Sequence, residues 1–430
     1  MPLTLLLYCI FTIIFFWLGF RYFSVKWQNI SIRQFEINLW IGSLIIRLLY
    51  VGLMYFSTWN LQPESWPFEL ESADSWTYQA AGESLMKTEF SHYFTILPTL
   101  MKSTADYGFP IFLSLIFKLF GSYTLPVRLI FCFLSTYTVI LISRIATYMF
   151  SPAHGKISGI LAMLIPTLLY YCGIQVKETL MIFIIVVIFY QAVKILKLRL
   201  NIIYRLLITV TLCISLFYLR TSLAACVILS VAFYFSLNFL SLKRTFTVFI
   251  LGIFIILTNY LVVSSGFDTE LTSDYGRSEG FYYAYVYDKI AKADNINVKN
   301  ITLMPLMFAT SLITPFPSLL YTEQRQLATI QHAPNEFIRM LLFYFVILGF
   351  IIIVRNYFRQ TSIFTVFIVS YLSILTITGT SMSDRYQAPL LPFLIICFSV
   401  GLIDSKMKWI KRWDYYLVTM IFVVIAWNLF

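Results

Sequence analysis

Carboxylates stand at two places in this chain where chemistry is easy to imagine. In ESADSWTYQAAGESL, Asp74 precedes Tyr78 by four residues, a spacing that puts both on one face of a helix. Ser72, Asp74 and Ser75 are types that open helices, so Asp74 reads either as a cap or as something more. A carboxylate beside Trp76 and Tyr78 suits general-base work when burial lifts its pKa. The second place is YYCGIQVKETL, where Lys177 and Glu178 separate two apolar runs. Such a pair either serves a site or forms a mutual ion pair that anchors the chain at a membrane boundary.

Three arginines fall in comparable turns: Arg128, Arg220 in YLRTSL, and Arg385 in SMSDRYQAP, beside Asp384 and Tyr386. The arginine fork is rigid and permanently charged, which suits phosphate or pyrophosphate. Taken singly, each is equally a snorkelling residue. Arg47 lies inside the apolar run IGSLIIRLLYVG and reads as functional by default, with no partner visible in the sequence. His332, in QHAPNEFIR, is the one histidine between 265 and 336; it suits a base, a metal ligand or a solvated loop position. No His/Cys/Asp cluster has metal-ligand spacing, so no metal site is assigned. A divalent ion such as Mg2+ or Mn2+ would accept Asp74 and Glu178 as scattered oxygen ligands.

The elements that position these residues follow from composition. The 430 residues are 60% hydrophobic and 12% charged, with mean hydropathy +0.81. Soluble domains average about 45–50% and about 25%, so this chain lacks the polar surface to cover a soluble globule. Unbroken apolar runs also argue against a β-barrel, whose strands alternate. The fold class is all-α: a polytopic membrane protein, one helical domain over 1–430. About twelve transmembrane helices are expected, at 3–20, 36–57, 124–150, 157–173, 179–197, 202–219, 222–241, 245–264, 337–354, 362–381, 388–404 and 413–430. The first run has no early Lys or Arg and no A-x-A site, so it reads as a retained span. The net charge of +11 fits cytoplasmic loops and anionic headgroups of a lipid bilayer rather than nucleic acid. The six cysteines sit in apolar runs without zinc or redox spacing and read as buried thiols.

Loop charges alternate. Arg21, Lys26 and Arg33; Lys156; Lys194 to Arg205; Lys243 and Arg244; Arg355 and Arg359; and Lys406 to Arg412 form a basic set. Segments 58–123 and 265–336 are rich in acids. The positive-inside rule places the basic set in the cytoplasm and both acidic segments and both termini outside. Two apolar stretches remain, 108–121 and about 301–321. They read as outward-facing juxtamembrane or re-entrant segments. No P-loop or glycine-rich dinucleotide loop is present.

The ordered run from ADSWTYQAAGESL through YGFPIFLSLIFKLFGSYTLPVRLIF resembles the front half of bacterial GT-C glycosyltransferases. These include polyprenyl-phosphate-sugar-dependent mannosyltransferase and aminoarabinose-transferase relatives. The likeness spans residues 60–200 and, more loosely, 380–404. It rests on Asp74 and Tyr78, Pro110 to Gly121, Arg128, Glu178, and Arg385-Tyr386 before Pro389 and Pro392. It implies a GT-C-like fold at the cell (inner or plasma) membrane, with a polyprenyl-phosphate-linked sugar as donor and a glycan or lipid as acceptor. Asp74 would be the catalytic acid that activates the acceptor and Glu178 the second acid. Tyr78, Lys177, Arg128, Arg220, Arg385, Tyr386 and His332 are the substrate-binding candidates. A lateral groove would take the polyprenyl tail. The chain departs from the pattern in an extra first span, in Glu rather than Asp at 178, and in Glu69 and Glu71 not adjoining Asp74.

Two other readings stand beside it. An O-antigen or capsule polymerase or ligase would use His332 with Arg277, Arg325 and Arg339. A polysaccharide-lipid transporter or flippase would show repeats and mid-membrane polar residues, whereas here most cluster at run ends.

Overall fold

The computed structural model describes residues 3–61, 63–64, 66–69, 74–198, 201–239, 326–377 and 384–429. Its elements are helical: α1 (Leu3–Lys26), α2 (Ile32–Leu61), α3 (Asp74–Met86), α4 (Tyr93–Leu100), α5 (Gly108–Phe120), α6 (Thr124–Met149), α7 (Pro152–Leu164), α8 (Pro166–Gly173), α9 (Glu178–Leu198), α10 (Ile202–Phe217), α11 (Thr221–Phe239), α12 (Gln326–Ile352), α13 (Phe358–Ile377), α14 (Asp384–Gln387), α15 (Leu391–Ile403), α16 (Met407–Ile410) and α17 (Trp413–Leu429). The described parts of the apolar runs expected to span fall on these helices, with 157–173 divided between α7 and α8, except for 245–264. That run, the 301–321 stretch, Arg277 and Arg325 lie outside the described residues.

Among the described residues, six helical stretches are long and apolar enough to cross a membrane, or seven if bent α7 and α8 are one broken span. This is a multi-pass membrane protein. The longest stretch, Pro334–Thr376, reverses direction. Arg339 meets Asp384 and the Tyr371 hydroxyl meets the Tyr386 carbonyl, yet a straight helix would hold Arg339 and Tyr371 about 48 Å apart. The turn is the π-helical step Ile353–Tyr357, a known device for bending helices. The limb α12 packs on α15, where Gly349 and Gly401 let backbones touch. A Cβ on Gly349 would lie 1.7 Å from the Cys397 carbonyl oxygen, and one on Gly401 1.9 Å from that of Phe345. Such close approach is what small residues permit in membrane bundles.

The break between α7 and α8, bent by 49°, explains Arg47. Pro166 has no N–H for the Ala162 carbonyl four residues back. Arg47, fully buried, donates to the Ala162 and Met163 carbonyls at 3.3 and 3.4 Å, and to the Ser43 and Ser135 hydroxyls at 2.7 and 2.8 Å. The mid-span arginine, whose partners the sequence did not show, answers the carbonyls of a broken helix.

Helix α5 is about 20 Å long, short of a hydrocarbon core of about 30 Å. It buries Phe109, Leu113 and Phe117 and leaves Leu119 and Phe120 exposed. Gly82 of α3 makes room for it, since a Cβ there would stand 2.9 Å from Phe117. The five described cysteines with described side chains are free and buried.

Candidate active site

Chain segments that the charge pattern puts on one side meet at one end of the bundle: 66–69 and 74–128, 174–178, 220 and 384–386. Both focal carboxylates open helices. Asp74 is the first residue of α3 and Glu178 the first of α9, positions favoured by the helix dipole. Arg385, at the start of α14, bridges them: Nη1 donates to Asp74 Oδ2 and Nε to Glu178 Oε1. Glu178 is fully buried, and Arg220 stands 3.7 Å from it. Arg220 also donates to the Tyr371 hydroxyl at 3.4 Å and stacks on the Tyr386 ring at 4.6 Å.

Asp74 itself keeps 49% of its side chain exposed. The expected burial against Trp76 is not made: that ring lies on Phe68, with centroids 4.4 Å apart. As the first residue of its helix, Asp74 projects from the packed surface. Lys177 and Glu178 do not pair with each other. Lys177 binds Asp106, and the Tyr78 hydroxyl donates to the same Asp106 at 3.0 Å. Burial pushes the Tyr78 phenol well above its usual range, reinforced by Asp106. Burial also pushes Asp106 up, but Lys177 and the Tyr78 O–H outweigh it and hold its carboxyl below the usual range.

Behind this lies a further ion pair. Glu69, buried, accepts from Arg128 Nη2 at 3.3 Å and from the Gln175 N–H at 3.4 Å. The Ser75 hydroxyl sits between Glu69 Oε1 and the Gln175 carbonyl oxygen. Arg128 also donates to the Pro67 carbonyl at 2.9 Å. Four carboxylates (Asp74, Glu178, Asp106, Glu69) thus face four cations (Arg385, Arg220, Lys177, Arg128). Of the residues expected at a site, Asp74, Tyr78, Lys177, Glu178, Arg220, Arg385 and Tyr386 come together. Arg128 joins through Glu69 and Ser75. His332 lies on α12, but its side chain is outside the described residues.

The sequence reading missed Asp106 and the Arg128 partnership of Glu69. Their acidity was visible, but their partners lie 71 and 59 residues away. Arg339, named only for the polymerase or ligase reading, lies 2.6 Å from Asp384. Among the described residues no group of three His, Cys, Asp or Glu side chains is arranged to hold a metal. A cation bridging Asp74 and Glu178 would first have to displace Arg385. Chemically, the end offers a half-exposed carboxylate, a buried second one, and guanidinium groups beside both. No protein-family model matches the chain, and no curated protein sequence is significantly similar to it.

Proposed function

We propose that the protein is an integral-membrane glycosyltransferase of GT-C type, with about twelve crossings, working on the outer face of a bacterial-type cytoplasmic membrane with both termini outside. It moves a sugar from a polyprenyl-(di)phosphate donor to an acceptor hydroxyl. The observation that carries this reading is the joining of Asp74 and Glu178 on Arg385 at one end of the membrane-crossing helices, with Arg220 adjoining Glu178.

The chemistry is a single displacement. Asp74 takes the proton of the acceptor hydroxyl. The freed oxygen bonds to the anomeric carbon as that carbon's bond to the phosphate oxygen breaks. The electron pair leaves on the lipid (di)phosphate, and the anomeric centre inverts. One carboxylate base suffices for this, unlike the two-carboxylate retaining hydrolysis. Arg385 and Arg220 stabilise charge growing on the leaving phosphate, with Glu178 holding both in place. Lys177, Tyr78 and Tyr386 line the same end.

The test is transfer by purified protein in liposomes from radiolabelled polyprenyl-linked sugars. Asp74→Asn is expected to lower turnover by about 10²–10⁴-fold, the range for losing a general base, with folding retained. A polymerase or ligase reading draws on Arg339 and on Asn335 beside it, whose amide is buried with no partner among the described residues. Full activity in Asp74→Asn with loss in His332→Ala would install it. Lipid translocation without any transfer would replace both with a flippase.

A further inference from the structure

Asp384 and Arg385 are consecutive, and their side chains reach different neighbours. Asp384 meets Arg339 of α12 at 2.6 Å, while Arg385 meets Asp74 and Glu178. The short helix α14 therefore ties α12 to the first residues of α3 and α9. Around these ties stand polar atoms with no partner among the described residues: both amide atoms of Asn335, the Tyr171 hydroxyl and Glu178 Oε2. All three residues are at most 3% exposed. Asn335 lies one helical turn before Arg339, on the same face of α12. The Tyr171 phenol, on α8, is within electrostatic reach of Glu178, Asp384 and Arg385, and of Arg339. Glu178 Oε1 is taken by Arg385 and faces Arg220, so Oε2 is the oxygen left over. Buried polar groups are ordinarily paired, and each exception asks for a water or a ligand.

We infer that Asn335, Tyr171 and Glu178 Oε2 hold the hydroxyl groups of the donor's sugar, and that this sugar carries no carboxylate. The inference rests on the reading of this end of the bundle as a sugar-transfer site, and names its sugar subsite. An amide both donates and accepts, so Asn335 matches two neighbouring hydroxyls. A phenol does either, and a carboxylate oxygen accepts. Charge sets the class of sugar. Arg339 is answered by Asp384, and Glu336, beside Asn335, adds a second carboxyl within electrostatic reach of that pair. Two carboxyls thus stand against one guanidinium on this side, a balance that opposes an acidic sugar. The guanidinium groups suited to the phosphate, Arg385 and Arg220, adjoin Glu178. Sugar and phosphate sites therefore meet at that residue.

The experiment is calorimetric titration of the full chain in phospholipid nanodiscs. The probes are farnesyl phosphate, its glucosyl, galactosyl and mannosyl esters, and its glucuronyl ester. The best neutral ester is expected to bind about 10-fold more tightly than farnesyl phosphate, the gain from one or two net hydrogen bonds. The glucuronyl ester should gain nothing. Asn335→Leu is expected to bring the neutral ester down to the affinity of farnesyl phosphate, whose own binding stays as in the wild type. Tyr171→Phe should cut the advantage by about 3-fold. Because no described residue answers the Asn335 amide, Asn335→Leu should hold or raise the thermal midpoint. A lowered midpoint means that the amide serves the fold, and overturns the inference. So does an equal loss of both probes in Asn335→Leu, an unchanged sugar advantage there, or a wild type that gains nothing from any neutral sugar. A glucuronyl ester bound as tightly as the neutral one overturns the assignment of sugar class. Binding is the readout, so a sugar advantage without turnover would defeat the catalytic reading of Asp74 alone.

Discussion

Arg47, buried inside the bundle, and Arg385, at its end, are held in opposite ways. Arg47 donates only to neutral oxygens: two serine hydroxyls and carbonyls of α2 and α7. One of those carbonyls needs it because Pro166 supplies no N–H. Arg385 is held by two carboxylates from different helices, and a third of its side chain is exposed. Releasing Arg47 would reopen a broken helix inside the bundle. Releasing Arg385 from Asp74 costs one exposed ion pair, worth about 0–1 kcal/mol. Burial of a cation therefore does not identify a reactive centre; the exchangeability of its partners does.

The two acids on Arg385 should separate most sharply. Glu178→Gln leaves Arg220 and Arg385 adjacent without their buried counter-charge, and is expected to cost about 3–5 kcal/mol, read as a lowered thermal midpoint in detergent. Asp74→Asn, half exposed, should shift stability by no more than about 1 kcal/mol. Equal costs would mean that Arg385 is as fixed as Arg47. The next effect concerns Arg47 itself. Arg47→Met leaves buried carbonyls unmet and is expected to cost about 2–3 kcal/mol. In a Pro166→Ala background the restored N–H answers Ala162, and the cost should shrink by about 0.5–1.5 kcal/mol in a double-mutant cycle. Strict additivity of the two changes would break the link between this arginine and the proline.

How far the sequence could be read follows the range of each interaction. Apolar runs and loop charges are local or periodic, and they place α2, α6, α9 and α11 and the end at which Asp74, Glu178 and Arg385 meet. Asp74 and Tyr78 on one face follow from helical spacing. Yet within the site Tyr78 turns to Asp106 and Asp74 to Arg385, 28 and 311 residues away. Helical spacing reports only neighbours three or four positions apart. The partners of Arg47 were hidden for the same reason. Its acceptors exist because of a proline 119 positions on in the chain, and nothing local to Arg47 announces that α7 packs against α2.

The smallest expected effect sharpens the comparison at Asp106, a carboxylate that belongs to the site yet behaves as structure. Its folded pKa lies below the usual value because Lys177 and Tyr78 outweigh its burial. A depressed carboxyl pKa contributes stability that is fully present above the unfolded value, about 3.9, and is lost as pH falls through the folded one. Asp106→Asn should therefore lower the thermal midpoint at neutral pH and flatten the part of its acid decline that lies below about pH 4. Asp74→Asn, tested alongside, bears on turnover first. If Asp106→Asn left the acid decline as steep as in the wild type, Lys177 would be held by packing rather than by this carboxylate. The ion pairs would then belong less to a preorganised site than to the general anchoring of helices at a membrane boundary.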